Sequence, residues 1–337
     1  MLVPVLDSKK RPLMPCHPAR ARKLLNSGKA SAYYNKLGVF CIILHREVEP
    51  NNRKVVLGFD PGSKFHGVTV LSSGRTVLNG MCEAVDWVKE SVETRRTMRR
   101  ARRHRNLRRR PARFLNRKGA FLAPSTKARW QEILRLITQL AKVLPITDIV
   151  IEDVKAMSKK GQKRWNKSFA PLLAGKTWLY QTLRRQGFRV TLRQGFDTKQ
   201  LRDRYGLKKT SGKADKKFSS HAVDSWVLAA SVSGAKKPTE FGLFYWTPIR
   251  IHRRHLHMLQ PSKGGLRRED GGSRSLGLSR GTLIVHPKYN LCYVGGSSKG
   301  RISLHSTTTG KRLTQNAKLS DLKIKTRLSF RSQRIKA

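Results

Sequence analysis

The spacing of apolar residues changes several times along the chain, and each change marks a predicted element. Val3 and Val5 alternate as in a short strand, and Pro12-Leu13-Met14-Pro15 reads as a rigid loop. Residues 18–27 read as a helix, with Pro18 in its first turn and Gly28 at its C-terminal cap. The β-prone run at 38–46 reads as a strand. An apolar run at 55–59 ends on Asp60, and the turn Pro61-Gly62-Ser63 leads to a second strand at 65–71. After the tight turn Ser73-Gly74, residues 77–82 form a third strand, so a β-meander is predicted.

The period then becomes helical. Trp130, Ile133, Leu134, Ile137, Leu140 and Ala141 share a face over 126–144, and Pro145 ends that helix. A short buried strand at 148–151 runs into Glu152 and Asp153. A helix follows at 171–186, capped by Gly187, then a strand at 188–192 and an apolar helix at 219–233. The resulting α/β order resembles an interrupted ribonuclease-H-like domain. Residues 236–337 differ in character. Gly- and Ser-rich turns separate β-prone runs at 241–246, 282–286, 291–294 and 302–305, which predicts a small twisted antiparallel module before a basic tail at 318–336.

Between the meander and the first long helix lies a tract of another kind. Arginine occupies 11 of the 19 positions from 95 to 113: Arg95, Arg96, Arg99, Arg100, Arg102, Arg103, Arg105, Arg108, Arg109, Arg110 and Arg113. These cover every side of a helix, so the helix cannot be buried in protein, whereas phosphate can surround it. The whole chain agrees with this: 72 Lys+Arg against 20 Asp+Glu give a formal charge of +52 over 337 residues. Self-repulsion of that size opposes compaction unless a polyanion neutralises it. The scarcity of acids argues against a thermophile's ion-pair surface, because that device raises acids together with bases. Arg20, Arg22 and Lys23 on the first helix add to the basic surface. Hydrophobic content is 38%, low for a wholly globular chain, so part of the chain is expected to be ordered only on its partner. Cys16, Cys41, Cys82 and Cys292 form no CxxC pair, which argues against a zinc ribbon and a disulfide scaffold and for a reducing cytosol. No run is long and apolar enough for a membrane span, and the N-terminus lacks a signal-peptide core.

In a chain so short of acids, the few that follow apolar structure stand out. Asp60 closes one strand and Glu152 closes another, while His221 and Asp224 lie three apart on one helix and share a face. Metal-dependent phosphodiester hydrolysis needs such a set. Hard divalent cations take carboxylate oxygens, and two ions together can activate water and stabilise a leaving oxygen. Asp60 reads as the ligand bridging both ions, with Glu152 and Asp224 as further ligands and His221 binding the second ion or steering water. Asp153 and Asp215 are alternatives ranked below these. Taken singly, each is a weak signal, since an Asp after a strand is commonly a turn residue.

These residues sit in recognisable strings. Gly58-Phe59-Asp60-Pro61-Gly62-Ser63-Lys64 resembles the first RuvC motif, Ile149-Val150-Ile151-Glu152-Asp153-Val154 the second, and His221-Ala222-Val223-Asp224-Ser225 the third. The arginine tract resembles the bridge helix of RNA-guided nucleases, and Arg11-Pro12-Leu13-Met14-Pro15-Cys16-His17-Pro18 resembles the PLMP domain of the IscB group. Only residues 153–220 separate Glu152 from His221, too few for an HNH nuclease, so the chain looks like the HNH-lacking IsrB relatives. That resemblance implies a PLMP domain at 1–52, a first RuvC segment at 53–90, a bridge helix at 91–120, the remaining RuvC segments at 121–235 and a C-terminal module at 236–337 that reads a target-adjacent motif and contacts RNA. It also implies a transposon-encoded nickase of the prokaryotic cytoplasm, one protein per structured guide RNA (ωRNA). Guide pairing with target double-stranded DNA would expose the displaced strand to cutting at two Mg²⁺ ions, for which Mn²⁺ substitutes. Two other classes compete: a catalytically silent RNA-guided binding protein, and a junction resolvase built on the same core.

Overall fold

The computed structural model describes residues 1–50, 53–104, 122–153, 155, 173–212, 214–250 and 274–336, with the backbone of two short strands at 259–260 and 265–266. The chain divides into two compact units, each assembled from separated segments. One comprises Met1–Asn52, Gln139–Pro145 and Phe244–Ile335; the other comprises Arg53–Thr138, Ile146–Leu243 and the last two residues.

The first unit contains β1 (Val3–Leu6), β2 (Pro12–Cys16), α1 (Pro18–Asn26), β3 (Ala30–Tyr34) and β4 (Phe40–Leu44), in the sheet order β2-β1-β4-β3. The Pro-Leu-Met-Pro string is therefore a strand and not the expected loop. It pairs antiparallel with β1 at the sheet edge, where a residue without an N–H is tolerated. Leu24 and Leu25 of α1 pack onto a core of Val5, Leu13, Ile42 and Leu44, while Arg20, Arg22 and Lys23 are exposed. Gly28 takes a positive φ of 66° just beyond the helix, as its capping role requires. The same unit holds a five-stranded antiparallel sheet in the order 312–317, 301–306, 290–298, 282–286, 323–327, closed over Ile284, Cys292, Val294, Ile302 and Leu304. Part of the expected basic tail is thus sheet: Lys323–Arg327 is an edge strand pairing with Thr282–His286. Its lysines and Arg327 are exposed, so no apolar alternation advertised it.

The second unit is the mixed α/β one. β5 (Val55–Asp60), β6 (Phe65–Ser72) and β7 (Arg75–Glu83) form the expected meander; Ser73 and Gly74 take φ of 48° and 74°, the left-handed pair that a two-residue hairpin needs. Next come α2 (Val88–Arg103), α3 (Pro124–Ala141), β8 (Asp148–Glu152), α4 (Lys176–Arg185), β9 (Arg189–Arg193), α5 (Gly195–Arg204) and α6 (Val223–Ser233). β8 adds to β5 in parallel and β9 adds to β8 in parallel, giving the order β7-β6-β5-β8-β9. Every residue of β5 is buried, which is why it reads as an unbroken apolar run instead of an alternation. α6 is buried from Val223 to Ala230 and covers β5 and β6. On α3, Glu132 accepts from the Cys82 thiol at 3.1 Å and lies 3.3 Å from His66, a buried polar knot on the β6–β7 pair.

Several expected boundaries move. The arginine helix starts earlier, at Val88, and is described to Arg103; Arg105, Arg108, Arg109, Arg110, Arg113 and the Arg102 side chain lie outside the described residues. Arg95, Arg96, Arg99, Arg100 and Arg103 are all exposed. The helix expected from 171 begins at Lys176, after Gly175 at a φ of 84°. The helix expected from 219 opens with a π-helical turn, Phe218–Ala222, before α6. α5 was not anticipated at all.

Candidate metal centre

Two parallel neighbours put two acids at one end of the sheet. Phe59 and Ile151 are register partners on β5 and β8, so Asp60 and Glu152, the next residues, emerge side by side at the strands' carboxyl ends. Asp153 follows Glu152 but leaves in another direction: it accepts from Lys176 Nζ at 2.6 Å and from the Tyr180 hydroxyl at 3.0 Å. Glu152, ranked above Asp153 from the sequence, is the one that meets Asp60 and Asp224. Asp215 is exposed in the loop beside Gly212.

Asp224 arrives from above, in the first turn of α6, where a helix favours negative charge. Two glycines let α6 come close enough. A Cβ on Gly58 would stand 1.9 Å from the Ser225 carbonyl oxygen, and one on Gly67 would stand 2.2 Å from the carbonyl oxygen of His221. Gly67 is the register partner of Asp60, so this contact holds the start of α6 over the end of β5. One oxygen from each of Asp60, Glu152 and Asp224 lies within 4.8 Å of the others. Asp60 and Asp224 are buried, at 8% and 2% exposure, and Glu152 is half-buried. His221 is buried on the π turn with its ring 5.5 Å from the Phe65 ring; it is not among the three that converge.

Three like charges in so small a buried space oppose ionisation. Burial first, then the Glu152 charge, pushes the Asp60 carboxyl up to about 8, against the pull of Lys209. Burial and Asp224 raise Glu152 as well, although Lys209 and a hydrogen bond from Thr198 work the other way. Two cations answer the acids. Arg202 on α5 donates to Asp224 Oδ1 at 2.5 Å, and Lys209 donates to Asp224 Oδ2 while lying 3.9 Å from Asp60 Oδ2. Burial opposes the Lys209 charge, but Asp60 and then Asp224 outweigh it, so its ammonium is held above the usual lysine range. Sequence reasoning missed both, since two bases among 72 carry no signal by type. Gly58 did carry one: a glycine inside a fully apolar strand marks a close backbone approach.

The donor set is oxygen only and closely spaced, which fits a hard divalent ion such as Mg²⁺ or Mn²⁺. Residues 3–167 match the model of a family described as RRXRR protein. That span is just under half of the chain. No curated protein matches. Solved structures that match include Thermus thermophilus RuvC and the same organism's RuvC in complex with Holliday junction substrate. Both are 14% identical to this chain, cover 55% of it and 99% of their own length, and have TM-scores of 0.28 and 0.29. At those scores the fold assignment rests on the strand order above. Among the described residues, no helix is long and apolar enough to cross a membrane.

Proposed function

We propose that the chain is a metal-dependent nuclease of the RuvC kind, guided by RNA, that nicks the displaced strand of a DNA target. The observation that carries this is the meeting of Asp60, Glu152 and Asp224, drawn from two strand ends and a helix, in a chain with only 20 acids. An antiparallel meander followed by two parallel strands supports reading the second unit as an RNase H-like core. The match of residues 3–167 to the RRXRR family, and the motifs that resemble RuvC and PLMP segments, support the same reading.

In this reading Asp60, Glu152 and Asp224 would hold two Mg²⁺ ions. Bound ions supply charge for the phosphate and a more acidic water. The protein's part is placement: strand ends and a packed helix fix the oxygens, and His221, one helical turn from Asp224, orients water or the scissile phosphate. α2 with its arginine tract, and α1 with Arg20, Arg22 and Lys23, bind the guide RNA and its duplex with target DNA. Residues 236–337 read a target-adjacent motif and contact RNA, residues 1–52 act as the PLMP domain, and the particle is one protein on one RNA in a prokaryotic cytoplasm. The test is a nicking assay with purified ribonucleoprotein on a guide-matched duplex. Cutting of one strand is expected only with Mg²⁺ or Mn²⁺, with its loss in Asp60→Ala. Cutting that needs no RNA, or survives Asp60→Ala, overturns the proposal.

A further inference from the structure

Arg202 and Lys209 both contact Asp224, yet they are held differently. Arg202 lies on α5 between Leu201 and Tyr205, which pack against the α6 core; the Tyr205 ring meets Trp226 edge-on at 5.2 Å. Its side chain is 19% exposed and bonds one carboxylate. Lys209 lies beyond the helix, and its side chain is 35% exposed and spans two carboxylates. Its backbone is fixed on both sides. Leu207 packs on the α6 core, and Thr210 N–H donates to the Ser219 carbonyl, within the π turn, at 2.9 Å. A flexible four-carbon stem is thus anchored so that its ammonium falls between Asp60 and Asp224, the place where their oxygens converge.

We propose that Lys209 is a displaceable counter-ion of this site: it holds Asp60 and Asp224 together while no metal is bound, and gives up its place when a divalent ion enters. This rests on the reading of the three carboxylates as a metal centre. Lys209 is a positioning residue here, neither gaining nor losing a proton. Arg202 reaches Asp224 alone, so among the described residues Lys209 is the cation that ties Asp60 to Asp224, and this tie preserves the ligand geometry. Its attraction for the same oxygens makes it a competitor of the ion. Arg202, packed in place, stays on Asp224 Oδ1 and leaves Oδ2 and the Asp60 oxygens for the exchange.

Competition gives an unusual sign: removing a side chain at the site strengthens ion binding. The experiment is a Tb³⁺ luminescence titration of the full chain, repeated with Mg²⁺ as competitor, on wild type, Lys209→Ala, Lys209→Arg, Lys208→Ala and Asp224→Asn. Lys209→Ala is expected to bind the ion roughly tenfold more tightly, the scale of one lost competing ion pair. Lys209→Arg should stay near wild type, and Lys208→Ala, which removes an equal charge from an exposed neighbour, should change little. If Lys209→Ala folds poorly without metal, its melting temperature should rise more on adding Mg²⁺ than that of the wild type. Unchanged or weaker ion binding in Lys209→Ala, or equal tightening in Lys208→Ala, overturns the proposal. Wild type that binds no ion, or Asp224→Asn that binds as well as wild type, overturns the metal-centre reading itself.

Discussion

Asp60 is held at a point where a carboxylate is expensive to ionise, and this has a pH consequence in the metal-free protein. Burial and then the Glu152 charge push its carboxyl up to about 8 in the folded chain, against about 4 when unfolded. The folded state therefore binds the proton more tightly, so this residue's contribution to stability is full below pH 4 and is lost as pH rises towards 8. Asp7 and Asp148, whose carboxyls are pulled below the usual range by Arg11 and Arg189 against the opposing effect of burial, act in the opposite direction and at lower pH. Comparison with Asp60→Asn isolates the site. In melts with chelator, wild type should lose stability relative to Asp60→Asn between pH 5 and 8. With Mg²⁺ the difference should shrink or reverse, since the ion favours the ionised carboxylate. A flat difference across that range, with chelator, would show that Asp60 is not held as described.

At the scale of elements, the site depends on how closely α6 lies on β5 and β6. Gly58 has no room for a side chain: a Cβ there meets backbone of α6, at Ser225 and Ala229, which no rotamer change relieves. Gly58→Ala should cost about 3 kcal/mol, the upper end of overpacking effects, which is a fall of roughly 6–12 °C in Tm for a domain of this size. Gly296→Ala, with open space at its Cβ, should change little. Gly58→Ala should also lose ion binding, because a displaced α6 carries Asp224 away from Asp60. An unaltered melt would mean that the helix rides higher than described. The same seam explains what could be read from the sequence. β5, β6, β7, β8 and α3 were legible because burial imposes a period or an unbroken apolar run. α5 was not: its apolar residues are Phe196, which is 67% exposed, and Leu201, too few to form a stripe. Asp60, Glu152 and Asp224 were legible because acids are rare here and each adjoins an apolar element. Arg202 and Lys209 were hidden for the converse reason.

Over the whole molecule, the charge of +52 makes salt act with two signs. Without nucleic acid, the like charges on each unit repel, and raising salt shortens the Debye length from about 30 Å at 0.01 M to about 8 Å at 0.15 M. The free protein should therefore gain thermal stability over that range. With a bound polyanion the same salt competes for the phosphates. Affinity then falls with log salt at a slope near 0.9 per duplex phosphate neutralised, or near 0.7 on a single strand. The exposed arginines of α2 are the place to test this, because substituting them leaves the buried elements untouched: Arg95, Arg99 and Arg103 all stand on the helix surface. Replacing the three by alanine should weaken RNA binding at low salt and reduce the slope by about 2 to 3. The melt of the RNA-free chain should stay unchanged or rise slightly, as repulsion is relieved. A lower melt would give α2 a packing role that its exposure denies, and an unchanged slope would place the phosphate contacts elsewhere on this basic chain.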